Sequence, residues 1–299
     1  MSFMRKMPSD GELFQLILTT EDEADAEALN PLERSFDVPQ RVMKKLGYES
    51  YIIAGDGKLP VLQRIEAIHK SLYRIKDCAI GGLHGGAFMF RGIATWVYIP
   101  LMYGTVGIDP FNFCDLNDMQ KRWLATRKSD YNAYINTFAD IYDFAGGIGN
   151  LADYQIPPIE SMPLLGLAAF HIQSSAATLC NAFDTRGCVQ SAILASELAL
   201  KAALKGAGRS ENELKNHGHN LERLTDATAE AYSEFDAESV SSYIGMMPHY
   251  VENRYSSSQP TRYEAGSIVM ASQHIAGATM RALTGGDFKR HIVMESDPA

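Results

Sequence analysis

The second half of the chain is punctuated by helix start and stop signals, and these limit the possible folds more than any other feature of the sequence. Apolar residues recur at helical spacing in four segments between residues 158 and 286. Ser210 with Glu213, and Thr261 with Glu264, have the spacing of capping boxes. Short connections between amphipathic helices favour neighbours that run in opposite directions. The pattern therefore predicts an antiparallel up-down helical bundle.

Residues 1–157 have a different pattern, which predicts an α+β region with a small β-sheet. The acidic run EDEADAE is interpreted as a solvated face or a loop. Pro60 opens a helical pattern, and an aromatic stripe from Tyr131 to Tyr142 predicts a second helix that ends at two glycines. Between them, the β-branched and aromatic run Thr95–Ile99 predicts strands joined by tight turns. The fold class expected for the whole chain is therefore mainly α.

A tract rich in turn residues and prolines, GGIGNLADYQIPPIESMP, is the best candidate for a domain boundary. We place that boundary near Pro157. The predicted organisation is an α+β domain at 1–157, a helical bundle at 158–286 and a tail at 287–299.

Composition excludes several classes of protein. The chain has 36 acidic and 27 basic residues, and neither half is basic, which argues against a surface that binds duplex DNA. Four cysteines without a C-x-x-C pair argue against a disulfide framework and a structural zinc site. We expect no cofactor and no metal.

The sequence also favours a cytoplasmic protein without a membrane segment. The first residues lack the apolar run of a signal peptide. The longest uncharged stretch, Gly92–Ile108, is interrupted by proline and glycine and is short for a bilayer span.

The glycine-rich segment GGLHGG, Gly81–Gly86, could be a phosphate-binding loop, an oxyanion loop or a structural hairpin. It lacks the Lys-Ser or Lys-Thr ending of a phosphate-binding P-loop, and the chain has no G-x-S-x-G elbow to accompany an oxyanion loop. We favour a hairpin whose backbone lies close to the helical bundle.

Three segments in order, SAILASELALKAALKGAG, ELKNHGHNLERL and YVENRY, resemble the HEPN family over about residues 160–284. HEPN domains are small helical bundles linked to nucleotidyltransferases, RNA cleavage and defence systems of prokaryotes. The resemblance implies a nucleotide- or RNA-linked role in stress response, phage defence or a toxin–antitoxin pair. It also implies a homodimer and a partner protein.

HEPN ribonucleases carry an R-x4-6-H motif, in which the histidine moves a proton and the arginine holds the phosphate without a metal. Here Arg209 and His217 lie outside that spacing, and Arg254 is followed by YSSSQP. The catalytic pair therefore cannot be transferred, and His219, His217 and Arg209 remain only candidates. By position, the resemblance places the Arg254-Tyr255 element and the His219-Asn220-Leu221 corner near a polar groove that is expected to bind nucleotide or RNA. Lys201 is a further candidate ligand if it faces that groove.

Each of these residues also has a simpler interpretation. His219 could bond a backbone carbonyl at a helix corner that Asn220 caps, which we favour over acid–base chemistry. Arg254 could clamp a phosphate or pair with Glu252, and Lys201 could form an ordinary exposed helix pair with Glu197.

We therefore expect, first, a non-catalytic HEPN-like module that binds a nucleotide, an RNA or a partner enzyme. A divergent metal-independent ribonuclease is the second hypothesis. A purely structural interaction partner is the third.

Overall fold

A computed structural model divides the chain into two compact units, residues 1–80 and residues 81–299. The residues that the structure describes are 7–53, 57–73, 77, 83–100, 107–149, 154–250, 258 and 260–295.

The described part of the first unit forms three helices, α1 (Asp10–Ala26), α2 (Pro31–Lys45) and α3 (Pro60–Lys70). Their buried apolar residues, among them Leu13 and Ile17, form one core.

The acidic run of α1 is helical, so its interpretation as a loop was wrong, whereas most of its acidic side chains are exposed, as expected for a solvated face. Glu23 accepts a hydrogen bond from Lys45 at 2.7 Å, and Arg34 pairs with Glu21 at 3.5 Å. The helix forms in spite of its density of like charge because basic residues of α2 offset that charge.

The second unit is mainly helical, with a two-stranded antiparallel sheet in its described residues. Two 3₁₀ turns, at Pro110–Phe113 and Ile159–Ser161, connect some of its elements. The strands are β1 (His84–Phe90) and β2 (Ile93–Ile99), and the helices are α4 (Asp118–Ala125), α5 (Lys128–Ile148), α6 (Met162–Asn181), α7 (Arg186–Gly206), α8 (Glu211–His217), α9 (Leu221–Ala231), α10 (Ala237–Ile244), α11 (Arg262–Thr284) and α12 (Phe288–Glu295).

The predicted hairpin is confirmed, and it lies against the helices. Arg91 and Gly92 connect the strands with φ angles of 50° and 79°, as a two-residue turn with both central residues left-handed requires. The Gln273 side chain of α11 accepts a hydrogen bond from the Ala87 N–H at 2.6 Å and donates one to the Ala87 carbonyl at 2.7 Å. At Gly86 an added Cβ would lie 2.4 Å from the Gln273 Oε1, so only glycine permits this approach. Gly81 and Gly82 lie outside the described residues.

The helical core joins elements from both sides of the predicted boundary. Helix α11 packs against α7 and also against α5, and α6 packs against β1. The hairpin and α5, which the sequence pattern assigns to an N-terminal domain, therefore belong to the same unit as the C-terminal helices. The division lies between Ile80 and Gly81, and the prolines near Pro157 mark a connection between two helices of one core. The predicted tail contains α12, whose Phe288 ring stacks on Tyr142 with centroids 4.0 Å apart.

Two helices of this unit are unusually apolar. Helix α6 has no Asp, Glu, Lys or Arg, and it exposes Phe170 (76%) and Leu167 (49%). Among the described helices, only α7 is long and apolar enough to cross a membrane, and 67% of its apolar window is buried inside the protein. Burial of this extent is also usual for the central helix of a packed bundle.

Two glycines make a matched test of the packing between α5 and α11. A Cβ added at Gly277 would lie 2.7 Å from the Asp140 carbonyl oxygen, whereas at Gly166 it would meet nothing within 4 Å. We expect Gly277→Ala to lower the free energy of unfolding by about 1–2 kcal/mol, since the cost of overpacking exceeds the gain in helix propensity. Gly166→Ala should raise it by about 0.5 kcal/mol. Urea unfolding of both variants checks the opposite signs, and equal shifts would contradict the close approach.

His84 predicts a pH dependence of stability. Its side chain is buried against Phe144, and its Nε2 has no hydrogen-bond partner among the described residues. Burial lowers the pKa of His84 to about 3, against about 6.5 in the unfolded chain. Between these values the unfolded chain binds a proton that the folded chain does not, so the free energy of unfolding falls as the pH drops.

We expect His84→Gln to have a shallower pH dependence than the wild type. The difference in slope should reach about 1.4 kcal/mol per pH unit between about pH 6 and pH 4, which corresponds to one proton bound by the unfolded chain and not by the folded chain. Urea unfolding at a series of pH values measures it. Parallel profiles for the two proteins would show that His84 is not held neutral by burial.

Candidate functional site

Several residues selected from the sequence meet beside α7, where the chain turns from α8 into α9. Glu197 of α7 is almost fully buried, with its side chain 4% exposed. Its Oε1 accepts a hydrogen bond from Lys201 Nζ at 2.6 Å, and its Oε2 lies 2.8 Å from His219 Nδ1. One buried carboxylate therefore holds two nitrogen-bearing side chains in place.

The local sequence explains how His219 reaches Glu197. Helix α8 ends at His217 and is followed by its C-cap Gly218, whose φ of 61° lies in the left-handed region that glycine tolerates best. Asn220 then caps α9 by accepting a hydrogen bond from the Arg223 N–H at 2.9 Å. The predicted cap is confirmed, and His219 is fixed between a left-handed glycine and a helix start.

Two of the simpler interpretations were wrong. His219 contacts the carboxylate of Glu197 in place of a backbone carbonyl. Glu197 and Lys201 are not an ordinary exposed helix pair, because Glu197 lies in the core and the Lys201 side chain is only 17% exposed. A buried carboxylate is tolerated only when its lone pairs are satisfied, so both partners are needed.

Tyr250 completes the arrangement. Its ring stacks on the imidazole of His219 with centroids 5.2 Å apart and an interplanar angle of 30°. Its carbonyl accepts a hydrogen bond from Gln190 Nε2 at 3.5 Å. We call Glu197, Lys201, His219 and Tyr250 the Glu197 cluster.

The other predicted site residues have separate positions. Arg209 pairs with Glu213 at 3.3 Å, and both side chains are exposed. His217 is partly buried in the last turn of α8, and its carbonyl accepts a hydrogen bond from the Asn220 N–H. Arg254 and Tyr255 lie outside the described residues, so the predicted approach of Arg254 to Asn220 stays a prediction.

The hydrogen-bond roles in the Glu197 cluster follow from its chemistry. A carboxylate only accepts, so the His219 Nδ1 carries the proton that it donates to Glu197, and the Nε2 is left for another partner. The His219 side chain is 54% exposed, which makes the ring accessible to a ligand. Lys201 Nζ has three N–H donors, of which one is directed at Glu197. The cluster therefore offers donors, and an imidazole of fixed orientation, beside an aromatic ring.

A further cation lies one helical turn beyond Lys201. Lys205 pairs with Glu211 at 2.7 Å, and its side chain is 23% exposed. In the described ranges of the chain, no group of three or more His, Cys, Asp or Glu residues has an arrangement that could hold a metal ion.

Sequence reasoning missed the role of Tyr250 and the buried position of Glu197. The tyrosine is far from His219 along the chain, and no local spacing marks it as a stacking partner. The burial of Glu197 has a weak signal, because Ile193 and Leu200 occupy the apolar face of the same helix and are buried beside it.

No family model matches the chain, and no curated protein and no solved structure is significantly similar to it.

Proposed function

We propose that the second unit is a HEPN-like helical bundle that binds phosphate groups of a nucleotide or RNA at the Glu197 cluster, without cleaving them. One observation carries this proposal. The two carboxylate oxygens of Glu197 hold Lys201 and His219 at 2.6 and 2.8 Å, so the remaining N–H donors of Lys201 and the Nε2 of His219, which donates in the imidazolium form, lie beside the same carboxylate. Charge-assisted hydrogen bonds of this kind are the usual means of holding phosphate oxygens.

The ring of Tyr250 supports a ligand that carries a base. An aromatic side chain stacks on any nucleobase without regard to sequence, because every base has a π face. The ring of Tyr250 is partly exposed and lies against His219. A base and its phosphate would then contact neighbouring residues of the same cluster.

The overall charge limits how many phosphates can be bound. The chain has a formal net charge of -9, so a long nucleic acid would be repelled by most of the surface. Lys201, Lys205 and His219 are suited to about two phosphates, which implies a weak dependence of affinity on salt, with a slope of about -1 to -2 in the logarithmic plot. Arg254, four residues after Tyr250 along the chain, is proposed as a further phosphate ligand.

The resemblance extends the proposal to assembly. We propose that the bundle forms a homodimer and acts with a partner enzyme in stress response or phage defence.

Two neighbouring histidines give a matched test of binding. We expect His219→Ala to weaken binding of a fluorescent single-stranded RNA about tenfold, since a charge-assisted hydrogen bond contributes about 1.4 kcal/mol. His217→Ala, two residues away, should leave the affinity within a factor of about two, because its ring does not contact Glu197 in the structure. Fluorescence anisotropy at low salt measures both, with ATP as a competitor.

Two lysines give a second matched test of binding. Lys201→Met should weaken binding, whereas Lys215→Ala, which removes the same charge from an exposed position on α8, should not. Circular dichroism confirms that each variant is folded. If wild-type protein binds neither RNA nor ATP at low salt, the purely structural role is favoured instead.

A metal-independent ribonuclease is the second candidate, and the pairing of His219 with Glu197 favours it. A carboxylate at the Nδ1 of a histidine fixes the tautomer and stabilises the imidazolium, so the Nε2 is suited to move a proton. The hypothesis needs a ribose hydroxyl within reach of that nitrogen.

Cleavage of RNA in metal-free buffer separates the two candidates. The binding module should leave labelled RNA intact. The ribonuclease should cleave it, and Glu197→Gln should lower kcat at saturating RNA about tenfold or more, separately from any loss of affinity. A cleavage rate that His219→Ala does not change would assign the activity to a contaminant and reject this candidate.

A further inference from the structure

A second polar cluster, which shares no residue with the Glu197 cluster, is formed by side chains of α5, α10 and α11. The Nε2 of His274 lies 2.9 Å from the hydroxyl oxygen of Ser239, and its Nδ1 lies 2.9 Å from Oδ2 of Asp140. We call Ser239, His274 and Asp140 the Ser239 relay. Nothing in the sequence pattern selects these residues, because they come from three distant segments.

The direction of the two hydrogen bonds follows from the carboxylate. Asp140 only accepts, so in the neutral imidazole the Nδ1 of His274 carries the proton and the Nε2 carries the lone pair. The hydroxyl of Ser239 must then donate to the Nε2. The Ser239 proton is therefore directed at the Nε2 of His274, and Asp140 orients that imidazole. A serine oxygen is activated by such an arrangement of base and carboxylate.

The carboxylate itself is held in the charged form. Burial alone would raise the pKa of Asp140, but the hydrogen bond and charge of His274, with the charges of Lys289 and Arg281, outweigh burial and lower it. Arg281 Nη1 donates to Oδ1 at 3.0 Å, and Lys289 Nζ lies 3.4 Å from the same oxygen. An ionised Asp140 can therefore stabilise the imidazolium that forms when His274 takes a proton.

The Ser239 relay is buried at His274 and Asp140 and partly exposed at Ser239. His274 and Asp140 are each 4% exposed and lie on the long helices α11 and α5. Ser239 is partly exposed in the first turn of α10, and the Tyr243 ring, one turn later, lies over His274 with centroids 4.3 Å apart.

A buried histidine with both nitrogens satisfied also has a purely structural explanation. That explanation requires only that the partners be polar. It does not require the partly exposed member to be a serine with a proton to lose, nor a carboxylate supported by two cations at the far end. These two features distinguish the Ser239 relay from an ordinary buried histidine.

We propose that Ser239 is a nucleophilic serine that takes the acyl group of a small carboxylic ester, with His274 as its base and Asp140 as a positioning residue. The Ser239 oxygen bonds to the carbonyl carbon while its proton passes to the Nε2 of His274. The ester C–O bond breaks, and the departing alkoxide takes that proton and leaves as the alcohol. Water then attacks the acyl group, passes a proton through His274 to the Ser239 oxygen, and releases the carboxylic acid.

The proposal is tested with a fluorophosphonate, which phosphonylates activated serines and releases fluoride. The full-length protein is treated, digested and examined by mass spectrometry. We expect an adduct on Ser239 in the native wild type, and a rate lower by a factor on the order of a hundred in His274→Gln. Ser241→Ala, which removes an exposed hydroxyl from the same helix, should label as the wild type does.

Hydrolysis of p-nitrophenyl acetate supplies a second readout, and it should be lost in Ser239→Ala and kept in Ser241→Ala. If His274→Gln does not fold, the wild type labelled in its native and urea-denatured states replaces it, and labelling of Ser239 should require the native state. An unlabelled Ser239, labelling that survives denaturation, or equal rates in folded wild type and His274→Gln would overturn the proposal. None of these results depends on whether the Glu197 cluster binds RNA.

Discussion

The second unit depends on the requirement that the buried polar side chains of α11 find partners. Gln273 is bonded to the backbone of β1, His274 to Asp140 of α5, and Arg281 to Asp140 and Asp143. An unpaired polar group at such depth would cost several kcal/mol, so α11 has essentially one position along its neighbours. The hairpin and α5 are fixed by the same requirement, which explains why they share a unit with helices that follow them much later in the chain.

The two polar clusters place buried carboxylates in different roles. In the Glu197 cluster, the acid is buried and its two partners reach toward the surface, which suits a site that presents donors to a ligand. In the Ser239 relay, Asp140 contacts Arg281 and Lys289 as well as His274. The negative charge of Asp140 therefore acts on the imidazole, whose other nitrogen contacts the hydroxyl of Ser239. The same chemical group, a carboxylate, is therefore proposed to serve ligand binding in one place and proton transfer in the other.

Local signals in the sequence predicted local structure well. The capping boxes at Ser210 and Thr261, the cap at Asn220 and the hairpin are all present. These features depend on residues three or four apart, or on a turn of two residues, and short spacings are visible in a sequence.

The structural features that the sequence pattern did not predict depend on partners that are distant along the chain. The run EDEADAE lies in a helix whose acidic residues pair with basic residues of α2. The compact units divide between Ile80 and Gly81, while Asp140 bonds to His274 from the other side of Pro157. The sequence correctly selected His219 at the turn between α8 and α9, but Glu197 was interpreted as exposed. Residue spacing alone does not show how deeply a side chain is buried. The Ser239 relay had no signal at all, because its three members become neighbours only after the helices pack.

The uncharged surface of α6 has a consequence for how molecules of this protein meet one another. Most of the surface repels a second copy, since each chain has a formal net charge of -9. Along α6, where Leu167 and Phe170 are exposed and no acidic or basic residue intervenes, that repulsion has no local source. Added salt would therefore weaken repulsion between the charged surfaces of two copies more than it would change a contact between two α6 surfaces.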